Sequence, residues 1–550
     1  MRRLSSFLLA VALAAAMTLP AAASGYTDVP AGSALAEEVQ KSVDYKLMQG
    51  FSDTRFGYAG SMTRAQFVTV VCRMMQWTGE TAGSRVTSAM KVTSGSVSSE
   101  YWKAINLAVA HDVVDTGMSF RPNAAITRGE MAEILVRALG LKGAASRAQS
   151  DALPFSDVSA RKGYIAVAYA IGMTKGAAGT TFAPNGTATR AQAAAMLVRI
   201  YEKYTHTTDW VNGFYAISSY SQLALTKRMN TVSAGWSRMT WDGSGAALAT
   251  TSANSNEYCI PSGYDAVTSY LEGNGTALNL SVFMDASGNA AGLLASAAGR
   301  TQAVNAIVNE LTVSYKAVGK NPYSGVTIDF EGLRSSAKAN YNAFLTELAA
   351  AVHGLNKTLC VCVSPVLTTG SYYDGYDYRT IGNLADKVIL MAYDYDTRNL
   401  SSYVDTIYYK TAATAPVDQI YESLRAITDA SSGVADLSKI ALGFSCKNVA
   451  WKIDGSGKLL SGTPAYPGND TVTTRLNQTS TVKGWSSVYQ MPYAVYQAES
   501  GEKWFLWYEN DASVKAKLEL AKLFGIDGIS LWRLGTIPDS SAWNWNSLMN

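Results

Sequence analysis

The sequence predicts two architectures in one chain: an α-helical threefold repeat, then an α/β domain of (β/α)8 barrel type, the TIM barrel, with an α+β insertion. Three observations carry this. A helical segment opening on Thr-Arg recurs three times in the first third. From about Val211, apolar strand-like stretches alternate with amphipathic helical ones, the order that builds a parallel sheet. Eight such strand stretches fall within roughly 340 residues, the count and length of a barrel with insertions.

In chain order, Met1 to Ala23 places Arg2 and Arg3 before an apolar run from Phe7 to Met17 and ends in Leu19-Pro20 and three alanines. This is the pattern of a secretory signal peptide cleaved after Ala23. The run is too short for a membrane helix and no later stretch reaches ~20 apolar residues, so the mature protein is expected to be exported without a membrane span. Of the 550 residues 16% are charged, and the formal net charge of +3 gives no reason to expect nucleic acid. His111, His206 and His353 are scattered without metal-ligand spacing, so no metal site is read from them. Five cysteines are too few and too odd in number for a disulfide framework; Cys360 and Cys362, on one face of LCVCVSP, read as small buried apolar residues.

The repeat occupies residues 24–204, in copies of about 24–80, 95–141 and 152–204. TRAQFVTVVCRMM begins at Thr63, TRGEMAEILVRAL at Thr127 and TRAQAAAMLVRIY at Thr189. Each Thr is placed to cap a helix with an apolar stripe at i, i+3, i+4 and i+7, and a second arginine recurs at Arg73, Arg137 and Arg199. Arg64, Arg128 and Arg190 stand at helix starts, where the helix dipole disfavours a cation. That mismatch, made three times, points to an anionic partner for a planar, permanently charged fork of donors.

The polar stretch Glu202 to Trp210 reads as a linker, and residues 205–550 as the barrel domain. Strands are expected at Phe214–Ser218, Val232–Trp236, Leu278–Met284, Val326–Glu331, Leu359–Val363, Lys387–Tyr393, Ile440–Phe444 and Gly528–Trp532. The fourth matters most. In SGVTIDFE, from Ser324 to Glu331, apolar Val326, Ile328 and Phe330 alternate with Thr327, Asp329 and Glu331, so Asp329 and Glu331 share a face at a strand's C-terminal end. Two carboxylates there raise each other's pKa, as a general acid requires. Tyr393-Asp394 ends another strand, and Trp532 would put a flat apolar face in the barrel mouth.

The stretch resembles the catalytic strand of family 18 glycoside hydrolases, whose pattern is DGxDxDxE. Gly325, Asp329 and Glu331 match; Ser324 and Thr327 replace the first two acids, which the resemblance links to slower turnover or an altered pH dependence. The relaxed pattern resembles the branch that includes spore-cortex and peptidoglycan-lytic enzymes rather than typical chitinases. Met391, Tyr393 and Asp394 match that family's MxYD motif. The resemblance implies substrate-assisted retaining hydrolysis of an N-acetylhexosamine polysaccharide, with no metal or organic cofactor required: Glu331 as acid, then base, Asp329 on the acetamido N–H, Tyr393 on the acetamido oxygen, and Met391, Asp394 and Trp532 in substrate binding. It also implies that Lys452 to Trp507 is the cleft-walling insertion, with Trp451, Trp485, Tyr489 and Tyr493 as subsite candidates. The repeats resemble S-layer homology modules, which implies that Arg64, Arg128 and Arg190 bind acidic secondary cell-wall polysaccharide at the surface of a Gram-positive-type bacterium. A lectin-like barrel that binds glycan without cutting, and a structural surface-layer protein, are the competing readings.

Overall fold

The computed structural model describes residues 25–366, 374–395, 399–537, 543–545 and 548; the expected signal peptide lies outside them. By internal contacts the chain forms two compact units, one of residues up to 110, 115–131 and 186–198, the other of 111–114, 132–185 and everything from 199. Helices in the repeat region are α1 (Ala36–Asp44), α2 (Arg64–Met74), α3 (Ser99–Ala110), α4 (Arg128–Ala138), α5 (Lys142–Arg147), α6 (Lys162–Ala170) and α7 (Arg190–Tyr204).

In the first unit, the three Thr-Arg segments close on one another. At each, the Thr hydroxyl accepts the N–H three residues on, and that residue's side chain accepts the Thr N–H: Thr63 with Gln66, Thr127 with Glu130 and Thr189 with Gln192. These are capping boxes, satisfying two otherwise orphaned donors at each helix start. The next N–H links the copies in a ring: Arg64 N donates to Ala124 O (3.0 Å), Arg128 N to Gly186 O (2.9 Å) and Arg190 N to Gly60 O (2.7 Å). Phe56, Phe67 and Met131 of this unit are fully buried.

In the second unit, the strands are β1 (Trp210–Tyr215), β2 (Thr231–Trp241), β3 (Ala246–Ala249), β4 (Ala277–Met284), β5 (Gly325–Phe330), β6 (Thr358–Val363), β7 (Lys387–Leu390), β8 (Ile440–Ser445), β9 (Val449–Ile453), β10 (Val482–Ser486), β11 (Met491–Gln497), β12 (Lys503–Trp507) and β13 (Gly528–Trp532). Eight of them pair in parallel in the order β1-β2-β4-β5-β6-β7-β8-β13, and β13 pairs back on β1, so the barrel closes. Closure removes exposed sheet edges. Strand β3 adds to β2 antiparallel, and β10-β11-β12-β9 form the antiparallel sheet of the insertion. The helices here are α8 (Tyr264–Gly273), α9 (Ala290–Ala295), α10 (Ala297–Thr312), α11 (Lys338–Gly354), α12 (Tyr378–Leu384), α13 (Val417–Ile427), α14 (Asn469–Leu476) and α15 (Asp511–Leu523).

The alternation in β5 sets what faces what. Phe330 points outward and stacks on Phe344 of α11, ring centroids 5.2 Å apart, while Thr327 faces the barrel interior, where Ser233 of β2 meets its hydroxyl at 2.8 Å. The expected linker at Glu202–Trp210 is not a free tether: α7 runs to Tyr204, and Lys203 Nζ donates to Leu523 O at 2.8 Å. No helix among the described residues is long and apolar enough to cross a membrane.

Candidate active site

The site is built from the ends of β5, β6, β7 and β13 over a floor of neutral polar side chains. Asn212 Nδ2 donates to Ser530 Oγ (2.9 Å), Ser233 Oγ to Asn212 Oδ1 (3.0 Å), and Asn279 Nδ2 reaches Thr327 Oγ1 (3.5 Å) and Cys360 Sγ (3.4 Å). Six of the barrel strands contribute to this belt. Thr327, at the position of the resembled family's second acid, therefore sits in a layer that needs no charge. A carboxylate there would have to be desolvated beneath Asp329.

Asp329 lies one layer up and is 2% exposed. Burial, and then the neighbouring Glu331 carboxylate, push its pKa well above the usual carboxylate range, with a smaller lowering from the Cys362 thiol. Its Oδ1 is buried without a hydrogen-bond partner. Glu331 follows directly on the strand, is only partly buried, and its N–H donates to Met284 O at 2.8 Å. Thr327 faces the barrel interior two residues earlier, so alternation sets Asp329 inward, and the Glu331 carboxyl is near enough to raise its pKa.

Tyr393 faces the same pair: burial and then Asp329 raise its phenol pKa, with Cys362, Asp394 and Glu331 adding to it. Room for its ring comes from Gly443 in β8. A Cβ there would lie 3.0 Å from Tyr393 Cε1 and 2.7 Å from Leu390 O. Strand β7 stops at Leu390, short of the expected end at Tyr393, and the chain turns out so that Asp394 adopts a left-handed φ of 60°. Asp394 is exposed, with Lys447 Nζ 3.7 Å from its carboxylate. Met391 packs in the interior with Phe214, Cys362 and Ile389, and Trp532 leans on the same cluster, edge-on to Phe214 at 5.1 Å.

Several groups had no local sign in the sequence. Tyr258, from the loop after β3, stacks on Phe283 at 4.5 Å with its pKa pushed up to about 12 by burial and by Asp329 and Glu331. Tyr376, ahead of α12, donates to Phe330 O at 2.6 Å and also feels both carboxylates. Among the insertion aromatics, Trp451 is fully buried in the insertion's core, which removes it as a subsite residue. Tyr489 and Tyr493 pack against Trp507 in the same cluster, whereas Trp485 is 41% exposed.

The repeat arginines are engaged within their unit. Arg64 Nη2 is 2.5 Å from Glu130 Oε1. Arg190 is buried between Phe51 and Phe56, donating to Phe56 O and Gln49 O at 2.9 and 2.7 Å, and Arg128 is buried too. Backbone carbonyls and a carboxylate thus offset the dipole mismatch at two of these helix starts. The described residues contain no group of His, Cys, Asp and Glu able to hold a metal, and the five cysteines are buried and unbridged.

The second unit is thus a closed parallel barrel with Asp329, Glu331 and Tyr393 near the C-terminal ends of its strands. The chain carries a family 18 glycoside hydrolase domain behind three S-layer homology domains: residues 281–536 match the model for glycosyl hydrolases family 18, and residues 25–68, 95–132 and 154–194 match the S-layer homology domain. It is 26% identical over 235 residues to the cortical fragment-lytic enzyme of Bacillus subtilis, covering 42% of this chain and 50% of that one. It is 27% identical over 241 residues to the uncharacterized glycosylase YvbX of the same organism, covering 40% and 60%. The chain therefore spans little more than half the length of these relatives. The crystal structure of a C-terminal domain from Desulfitobacterium hafniense shares the fold, with TM-score 0.51 and 20% identity over 62% of this chain and 99% of that one.

Proposed function

We propose that the protein is an exported, wall-anchored glycosidase that hydrolyses β-linked N-acetylglucosamine-containing glycan, of peptidoglycan, cortex or chitin type, by substrate-assisted retaining catalysis. The convergence of Asp329, Glu331 and Tyr393 at the barrel mouth carries the reading. Glu331, the more exposed of the two carboxyls, protonates the glycosidic oxygen as the bond to the anomeric carbon breaks. The substrate's own 2-acetamido oxygen attacks that carbon, so no second carboxylate is needed as nucleophile. Asp329 holds the acetamido N–H, for which its unpartnered Oδ1 is a ready acceptor. Tyr393 orients the acetamido oxygen, replacing a bimolecular encounter with a positioned intramolecular one. Glu331 then takes a proton from the water that opens the oxazolinium ion.

The S-layer homology domains support anchoring to an acidic secondary wall polysaccharide at the cell surface, and the names of the cortex-directed relatives favour a bacterial wall glycan as substrate. Incubation with purified peptidoglycan, spore cortex and chitin oligomers, followed by mass analysis, tests the activity. New reducing N-acetylglucosamine ends are expected from the native chain and a loss of at least ~100-fold from Glu331→Gln. Undiminished release by that variant removes the acid assignment, and tight binding without cleavage by the native chain selects the lectin-like alternative.

A further inference from the structure

We propose that Cys362 is a positioning residue for Asp329: its thiol, facing the barrel interior from β6, donates a hydrogen bond to the Asp329 carboxylate and takes the supporting place that the neutral Thr327 leaves empty. The inference rests on the reading of Asp329 as the acetamide-holding carboxylate.

The strand register provides the geometry. Thr327 pairs with Cys360 and Ile328 with Val361 in the parallel β5–β6 ladder, so the next step brings Asp329 beside Cys362. Both point inward, because Thr327 and Cys360 two residues earlier both meet Asn279 inside the barrel. That lower layer shows sulfur of this strand serving as a hydrogen-bonding group at 3.4 Å. Cys362 has no exposed surface and is enclosed by Phe214, Ile389 and Met391, which hold the sulfur in one place. Burial holds its own pKa far above the usual thiol value, so it stays protonated and acts only as a donor. Asp329 is short of donors, since its Oδ1 has none.

Among the described residues, the groups bearing on Asp329 are Glu331 just after its own strand, Cys362 on β6, Tyr341 on α11, Tyr376 before α12, Tyr393 after β7 and Tyr258 after β3. All of them ionise by losing a proton, and a second anion beside Asp329 disfavours its own ionisation. A donor that cannot ionise therefore has a specific value here: it favours the carboxylate without adding charge.

The test compares Cys362→Ala and Cys362→Ser in the full chain by infrared titration of the carboxylic acid C=O band that disappears in Asp329→Asn. Cys362→Ala is expected to raise that band's midpoint by about half a pH unit or more, the size of a lost neutral hydrogen bond. Cys362→Ser retains a donor and is expected to hold the midpoint at or below the native value. The acid limb of chitin-oligomer hydrolysis should move in step, because ionised Asp329 is the form that accepts the acetamido N–H. A Cys362→Ala midpoint equal to the native one overturns the inference, and if that variant does not fold, a raised midpoint in Cys362→Ser overturns it instead. Failure of the glycosidase reading is separable, since it shows as retained hydrolysis in Glu331→Gln and leaves the infrared titration unaffected.

Discussion

In the proposed mechanism Asp329 holds the acetamido group, and its burial carries a stability cost. Its pKa in the folded chain stands above the ordinary carboxylate value because burial and then Glu331 oppose its charge. Between those two values the native state binds more protons than the unfolded one, so stability falls as pH rises through that window. Asp329→Asn removes the ionisable group at nearly constant shape. We expect the variant to be inactive yet to melt a few degrees higher than the native chain near neutral pH, with the difference vanishing below about pH 4. Thermal melts across that range check it; a variant that melts lower at neutral pH would mean that ionised Asp329 is held by partners stronger than those described. Gly443 offers a steric counterpart. Adding its missing methyl 3.0 Å from the Tyr393 ring and 2.7 Å from Leu390 O must displace one of them, so Gly443→Ala should lower kcat by about tenfold or more while leaving substrate binding near native. A KM-against-kcat comparison on chitin oligomers checks the split.

At the scale of elements, each repeat helix is held by its capping box and by the ring of backbone bonds that follows it. Thr127→Ala leaves the Glu130 N–H without its cap and should cost about 1 kcal/mol, read as a lower denaturant midpoint at unchanged slope; Thr127→Ser should recover most of it. The caps were legible because Thr and its partner three residues on are local in sequence. The barrel strands were legible for the same reason where apolar runs mark them, and Gly528–Trp532 matches to the residue. The first strand was displaced: it spans Trp210–Tyr215 rather than Phe214–Ser218, because Asn212 and Gly213 break its apolar run. Asn212 is nonetheless fully buried, since its partners Ser233 and Ser530 come from strands β2 and β13. The same reason hid Tyr258, Tyr376 and the role of Cys362 at the site. Each is brought there by strand register or a distant loop, which no short window of sequence encodes. The repeat arginines mark the opposite limit: their spacing was evident, but that Arg190 lies between Phe51 and Phe56 depends on tertiary packing.

At the scale of the molecule, the second unit joins helical residues 132–185 to the barrel through a charged contact rather than a flexible tether. Arg147, at the end of α5, donates from Nε and Nη2 to Asp418 Oδ2 (3.0 and 2.9 Å) and from Nη1 to Glu422 Oε2 (3.0 Å), both on α13. Arg425 returns the contact by pairing with Asp151. Backbone approach is equally close, since a Cβ on Gly143 would meet Val488 O at 2.1 Å. Asp418 and Glu422 are 8% and 6% exposed, so the Arg147 guanidinium offsets charge that burial has taken out of water. Even so, burial raises the Asp418 pKa more than Arg147 lowers it, so this carboxylate too loses stability as pH rises above its unfolded value. Removing Arg147 deepens that loss by taking away the cation that offsets the buried Asp418 carboxylate. We expect Arg147→Ala to destabilise the full chain by about 3 kcal/mol near neutral pH, the low end for a broken buried pair because Arg147 is partly solvated, and by less at about pH 4, where Asp418, its pKa raised by burial, carries less of the charge that Arg147 offsets. Adding Asp418→Asn and Glu422→Gln to Arg147→Ala should restore most of the loss, because an uncharged contact has no desolvation left to compensate. Melting curves of the single and triple variants at both pH values test this. Equal destabilisation at the two pH values would show that Arg147 acts through packing of its side chain rather than through its charge.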